Sequence, residues 1–192
     1  MMSPQRSWDG RLVTALTTTL MAQVPAGFEV ERKMTIRLDA RNRPEPDLLL
    51  TNLPYDPDRT WYAPEDVHLV VEAVSPESAH RDRTVKLRKY AEAGIPHYWC
   101  IEDEDGAPVV HVYELDEPTG AYAPAGIFRS TLHRPVPFEI TLDLDTLTPP
   151  RSAEGSTDHP LRRERGRPYD TAPAHTVHPR RGRPAGTPAH GT

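Results

Sequence analysis

The sequence predicts an α/β domain over residues 1–150, a mixed central sheet flanked by helices, followed by a disordered tail over residues 151–192. Three observations lead there: helical apolar spacing near the start, a strand–helix–strand run with well-marked helix ends in the middle, and a train of short strands after it.

Between Trp8 and Gln23 the residues Leu12, Val13, Leu16 and Leu20 recur at three- and four-residue steps. This spacing marks one buried helix face, and Pro25 and Gly27 end the helix. Phe28 to Glu31 reads as a strand, and so does Lys33 to Leu38, where Met34, Ile36 and Leu38 alternate with polar residues. Asp39 to Arg43 is the turn. RPEPDLLL, Arg43 to Leu50, carries a strand that begins at a proline and becomes wholly apolar, as a strand does when it enters a core. A polar excursion from Thr51 to Asp66 follows.

HLVVEAVS, His68 to Ser75, is a nearly continuous apolar run and predicts a central strand covered on both faces. Next comes a helix capped by Ser75 or Ser78, with Pro76 and Glu77 in its first turn, Gly94 as its left-handed stop and Pro96 beyond. HYWCI, His97 to Ile101, is the next strand, so the unit predicts a crossover between parallel neighbours. Val109 to Leu115, Tyr122 to Phe128 and Phe138 to Leu144 read as antiparallel strands.

The tail carries eight Arg, four acidic residues, six Pro and four His, with almost no large aliphatic side chains. Such a segment cannot bury enough apolar surface to offset its ordering entropy. Removing its net +4 from the whole-chain −5 leaves the domain at −9. That balance counts against an avid, non-specific nucleic-acid binder but leaves room for a local basic patch. The tail's arginines either supply phosphate contacts or form a solvated extension. Cys100 is the single cysteine, so no internal disulfide or cysteine-rich zinc site is expected, in keeping with a cytoplasmic protein. No apolar run reaches the roughly 20 residues needed to span a bilayer.

Two carboxylates need explaining. Glu72 lies inside a buried strand, where an ionised side chain is costly without a partner, and Asp47 opens an apolar strand just after Pro46. On neighbouring strands they could converge on a hard cation, Mg²⁺ or Mn²⁺. Each could instead be a buried acid satisfied by backbone amides or by one of the chain's twenty arginines.

The blocks EPDLLL (Glu45–Leu50), VVEAVSPES (Val70–Ser78) and RDRTVKLRKYAEAGIPHYW (Arg81–Trp99), with the acidic turn after them, follow one another in a recognisable order. They resemble the PD-(D/E)XK pattern of restriction-endonuclease-like proteins, and more specifically the Uma family of restriction endonucleases. The resemblance covers roughly residues 4–149. It implies a metal-dependent endonuclease that hydrolyses DNA phosphodiester bonds, with Asp47 and Glu72 as metal ligands, the Ala73 carbonyl as a further donor and Lys86 as the catalytic lysine. In the wider superfamily the lysine lies two residues after the glutamate; Val74 stands there in this chain, so the lysine must come from the helix. Lys86 could also pair with Asp82, four residues away. Arg83 and Lys89 could contact phosphates or form a solvated face. Family members generally begin with a hairpin bearing a Glu-Leu-x-x-Gly segment, whereas MMSPQRSWDG corresponds to the stretch after it. The expectation is a domain lacking that hairpin, with Asp9 where the family often has histidine. A catalytically inactive domain retained for binding or assembly is the alternative, and a scaffold whose Glu72 pairs with an arginine is a third reading. DNA is the expected partner, and a homodimer is expected by family analogy alone.

Overall fold

The computed structural model describes residues 6–74 and 81–148, with side chains except those of residues 81–83. Helix α1 (Ser7–Met21) comes first, and Leu12, Val13, Leu16 and Leu20 form its buried face as their spacing requires. Strands β1 (Glu29–Arg32), β2 (Thr35–Ile36), β3 (Leu48–Thr51), β4 (Trp61–Tyr62) and β5 (Val67–Val74) follow. A wide π-type turn, Arg81–Lys86, runs into α2 (Leu87–Glu92). Then come β6 (His97–Glu104), β7 (Ala107–Asp116), β8 (Ala121–Phe128), β9 (Thr131–Arg134) and β10 (Ile140–Asp143).

The central sheet has six strands in the order β1-β3-β5-β6-β7-β8. Its β5–β6 pair is parallel and its other pairs are antiparallel, so the sheet is mixed, with the parallel pair where the strand–helix–strand run predicts it. Alternation along the strands divides the core into two apolar layers. Leu48, Leu50, Leu69, Val71, Trp99 and Ile101 pack with α1. Leu49, Val70, Val74, Tyr98 and Cys100 point the other way, toward Tyr90 of α2 and Ile95.

The stop of α2 is as its sequence demands. Gly94 adopts φ +81° and donates to the Ala91 carbonyl at 2.9 Å, and the Ile95 N–H donates to that of Tyr90 at 3.2 Å. The predicted caps Ser75, Pro76, Glu77 and Ser78 lie outside the described residues, as does the tail.

Three expectations need correction. Lys33 to Leu38 is not a six-residue strand: Lys33 has φ +53°, which breaks the extended path, and only Thr35–Ile36 pairs, in parallel with β4 from inside the supposed polar excursion. The strand expected to begin at a proline, with Asp47 at its start, begins at Leu48 and leaves Asp47 immediately before it. Phe138 to Leu144 contracts to β10, which pairs with the unforeseen β9 in a separate two-stranded sheet. Among the described residues, no helix is long and apolar enough to cross a membrane.

Candidate functional site

Strand register brings the two carboxylates side by side. Arg32 pairs with Leu48 across β1–β3, and Leu48 pairs with Val71 across β3–β5. One residue further along each strand, Lys33, Asp47 and Glu72 stand abreast. The Lys33 N–H continues the ladder to the Asp47 carbonyl at 3.3 Å. Residues directly opposite in antiparallel strands share a face. Leu49 and Val70 belong to the layer beneath α2, so Asp47 and Glu72, each two residues away along its strand, face that helix too.

Both acids are buried, Asp47 7% and Glu72 3% exposed, and each has an ammonium partner. Glu72 Oε2 lies 2.8 Å from Lys86 Nζ, and its Oε1 accepts from the Tyr90 hydroxyl at 2.9 Å. Asp47 Oδ1 is paired with Lys33, and Oδ2 accepts from the Ala73 backbone N–H at 2.7 Å. Burial, reinforced by the Glu72 charge, pushes the Tyr90 phenol well above its usual value of 10.0, so it remains a proton donor to the carboxylate. These contacts offset the desolvation that two ionised acids would otherwise suffer in an apolar layer.

The structure therefore brings together all three residues singled out in the sequence, Asp47, Glu72 and Lys86. Lys86 reaches the site from the turn leading into α2, on a different element from Glu72. Among the described residues Glu72 is held by a lysine and a tyrosine. The side chains of Asp82 and Arg83 lie outside the described set. Lys89 bonds to the Asn42 side-chain oxygen across from α2. Asp9 is remote in role: Arg6 bridges it to Asp103.

Sequence reasoning missed Lys33 and Tyr90. Tyr90 reads as an ordinary apolar helix position, and Lys33 as the outward side of a strand. A usable signal was composition. The chain has twenty Arg but only three Lys, and all three, Lys33, Lys86 and Lys89, lie on this site or beside it. An ammonium is compact and rotatable where a guanidinium is a rigid fork, so the use of lysine only here has a chemical sense.

Whether these residues suit a divalent cation turns on the donor set. Among the described residues no group of three or more His, Cys, Asp and Glu side chains could hold a metal ion. The site offers two buried carboxylates, and the backbone adds oxygen: within a strand N–H and C=O of one residue point to the same side, so the Ala73 carbonyl lies toward β3 with its N–H. Hard oxygen donors of this kind fit Mg²⁺, which takes one or two carboxylates and keeps the rest of its shell for water and phosphate. Two ammonium groups now supply the positive charge that such an ion would bring.

A profile of the Uma2 family, described as "Putative restriction endonuclease", matches residues 1–146. Among solved structures, a crystal structure described as "a putative nuclease belonging to DUF820" from Anabaena variabilis is similar, with a TM-score of 0.56 at 15% sequence identity. The match covers 77% of this chain and 84% of that one, a likeness that shows the fold. No curated protein sequence matches the chain.

Proposed function

From a chain that belongs to the Uma2 family, we propose a nuclease that hydrolyses DNA phosphodiester bonds with the help of a divalent cation, Mg²⁺ or Mn²⁺, held by Asp47 and Glu72. The observation that carries this reading is the pair of buried carboxylates set abreast on adjacent strands, each balanced by a lysine. The Ala73 carbonyl adds a third oxygen.

A cation bound here would supply Lewis acidity, offsetting charge on the phosphate and making hydroxide available at neutral pH. The chain's own residues do the rest. Glu72 and Asp47 concentrate negative charge at one point of an apolar layer and orient the donors around it. Tyr90 holds Oε1 of Glu72, which leaves Oε2 as the oxygen that Lys86 shares. Lys86, which lies 2.8 Å from Glu72, would steady negative charge developing on the reacting phosphate. Lys33 has the same relation to Asp47.

Calorimetric titration of Mn²⁺ into the full chain and into Asp47→Ala and Glu72→Ala tests the site without a substrate. Binding by the parent that is lost in both variants, together with cleavage of DNA that falls by about a hundred- to a thousandfold in Lys86→Ala, is the expected result. A folded parent that binds no cation and cleaves no DNA would leave the inactive domain, with its carboxylates permanently neutralised by Lys33 and Lys86, as the reading that stands.

A further inference from the structure

A groove of about 220 Å³ opens beside the carboxylate pair, on the side where α2 meets the turn before β3. Its polar lining is Arg41, Asn42, Arg43, Lys86, Lys89 and Tyr90. Four of these are cations, and no carboxylate lines the groove among the described residues. In a domain of net charge −9 this is a local inversion of sign. Two of the lining residues, Lys86 and Tyr90, are also the partners of Glu72, so the groove runs directly into the candidate active site.

The groove is built before any ligand arrives. Asp39 Oδ1 accepts from the Arg41 N–H at 2.7 Å and the Asn42 N–H at 2.8 Å, fixing the turn, and the Leu38 N–H closes it onto the Asn42 carbonyl at 3.1 Å. The Asn42 amide also donates to Asp39, and its oxygen takes the Lys89 ammonium, which ties the turn to α2. Asp39 is thus spent on holding the turn. Arg41 and Arg43 are exposed, and neither has an ion-pair partner among the described residues. Exposed guanidinium groups with no ion-pair partner among the described residues, carried on a turn whose backbone is pinned, suit a phosphodiester backbone beside a site for phosphate chemistry.

We propose that this groove is the docking track for the DNA strand that is cut: Arg41 and Arg43 hold the backbone phosphates flanking the one presented to Asp47, Glu72 and Lys86. The contacts are to phosphate, so they position the strand without reading its sequence. This inference rests on the nuclease reading.

Fluorescence anisotropy of a labelled DNA duplex, titrated with the full chain in EDTA at several salt concentrations, tests it. The parent is compared with the Arg41→Gln/Arg43→Gln double variant, whose exposed positions leave the core untouched. The dependence of log affinity on log salt should be shallower by about 2 in the variant, so that between about 50 and about 200 mM salt the parent loses about tenfold more affinity. Mn²⁺ binding should be the same in both proteins. Equal salt slopes in a parent that binds and cleaves DNA would overturn the groove while leaving the nuclease reading in place. A parent that takes up Mn²⁺ but binds no DNA would overturn the docking track, and a parent that does neither would overturn both readings. Orthophosphate bound in the groove as tightly as duplex would show a site for a free anion and overturn the strand assignment.

Discussion

Among the described residues two pairs of acids have buried carboxylates, and they are neutralised in different ways. Asp9 and Asp103 share one arginine: Arg6 places one guanidinium nitrogen 2.9 Å from Asp9 and another 2.9 Å from Asp103. The fork spans both acids, the Arg6 N–H adds a bond to Asp9 at 3.0 Å, and the Gly106 N–H adds one to Asp103 at 2.6 Å. That arrangement pins the start of α1 to the β6–β7 turn. Among the described residues Asp47 and Glu72 instead each meet one lysine, and neither of these lysines bridges the two. A guanidinium clamp closes its acids permanently, whereas separate ammonium groups on flexible stems can be exchanged for another cation without dismantling the fold. The first pair is a fastening, and the second has the character of a site.

The comparison breaks most sharply at Arg6. Arg6→Ala leaves two buried acids without their shared cation and should cost about 3 kcal/mol, the low end for a buried pair because Arg6 is partly exposed. Urea unfolding measures it, and Mn²⁺ affinity, read on the folded fraction, should hold. A stability loss under about 1 kcal/mol would mean that water screens this clamp as it does a surface pair.

Tyr90→Phe comes next. It removes the hydroxyl from Glu72 and should cost about 1.5–3 kcal/mol, the value of a buried bond to a charged group. The pH dependence follows from the raised Tyr90 pKa. The folded state keeps the phenol proton and the unfolded chain releases it near pH 10, so this contribution is full below about pH 10 and is lost as pH rises beyond it. The parent should therefore lose stability above about pH 10 more steeply than Tyr90→Phe, as thermal melts in that range would record. Equal slopes would mean that the phenol is neither buried nor held by Glu72 in the folded protein.

Lys33→Ala should have the smallest effect on stability, under about 1 kcal/mol, because half of its side chain is exposed. Its removal frees one oxygen of Asp47 and should tighten Mn²⁺ binding. A destabilisation as large as that of Arg6→Ala would erase the distinction between clamp and site.

Most of the fold was readable along the chain. The α1 face, the apolar strands around Leu49, Val70 and Tyr98, and the Gly94 stop announced themselves because period, burial and turn chemistry are local properties. Lys33 to Leu38 was misread for an equally physical reason. Its alternation is that of a strand, but a single residue at positive φ turns the backbone, and which residue does so depends on what the turn packs against. The separate β9–β10 sheet was likewise invisible, since pairing partners are a matter of tertiary arrangement.

For the site, the sequence by itself determined the chemistry available: Asp47 and Glu72 in apolar strands, Lys86 on the helix beyond, and three lysines among twenty arginines. Only the tertiary structure decided the neighbours. Register set Lys33 beside Asp47, and packing of α2 on the sheet brought Tyr90 and Lys86 to Glu72 and joined Lys89 to Asn42, 47 residues away. The reason is the cost of burying charge. A strand can carry a carboxylate into an apolar layer, but the partners that make it tolerable come from wherever the fold places a donor within reach, and sequence distance sets no bound on that.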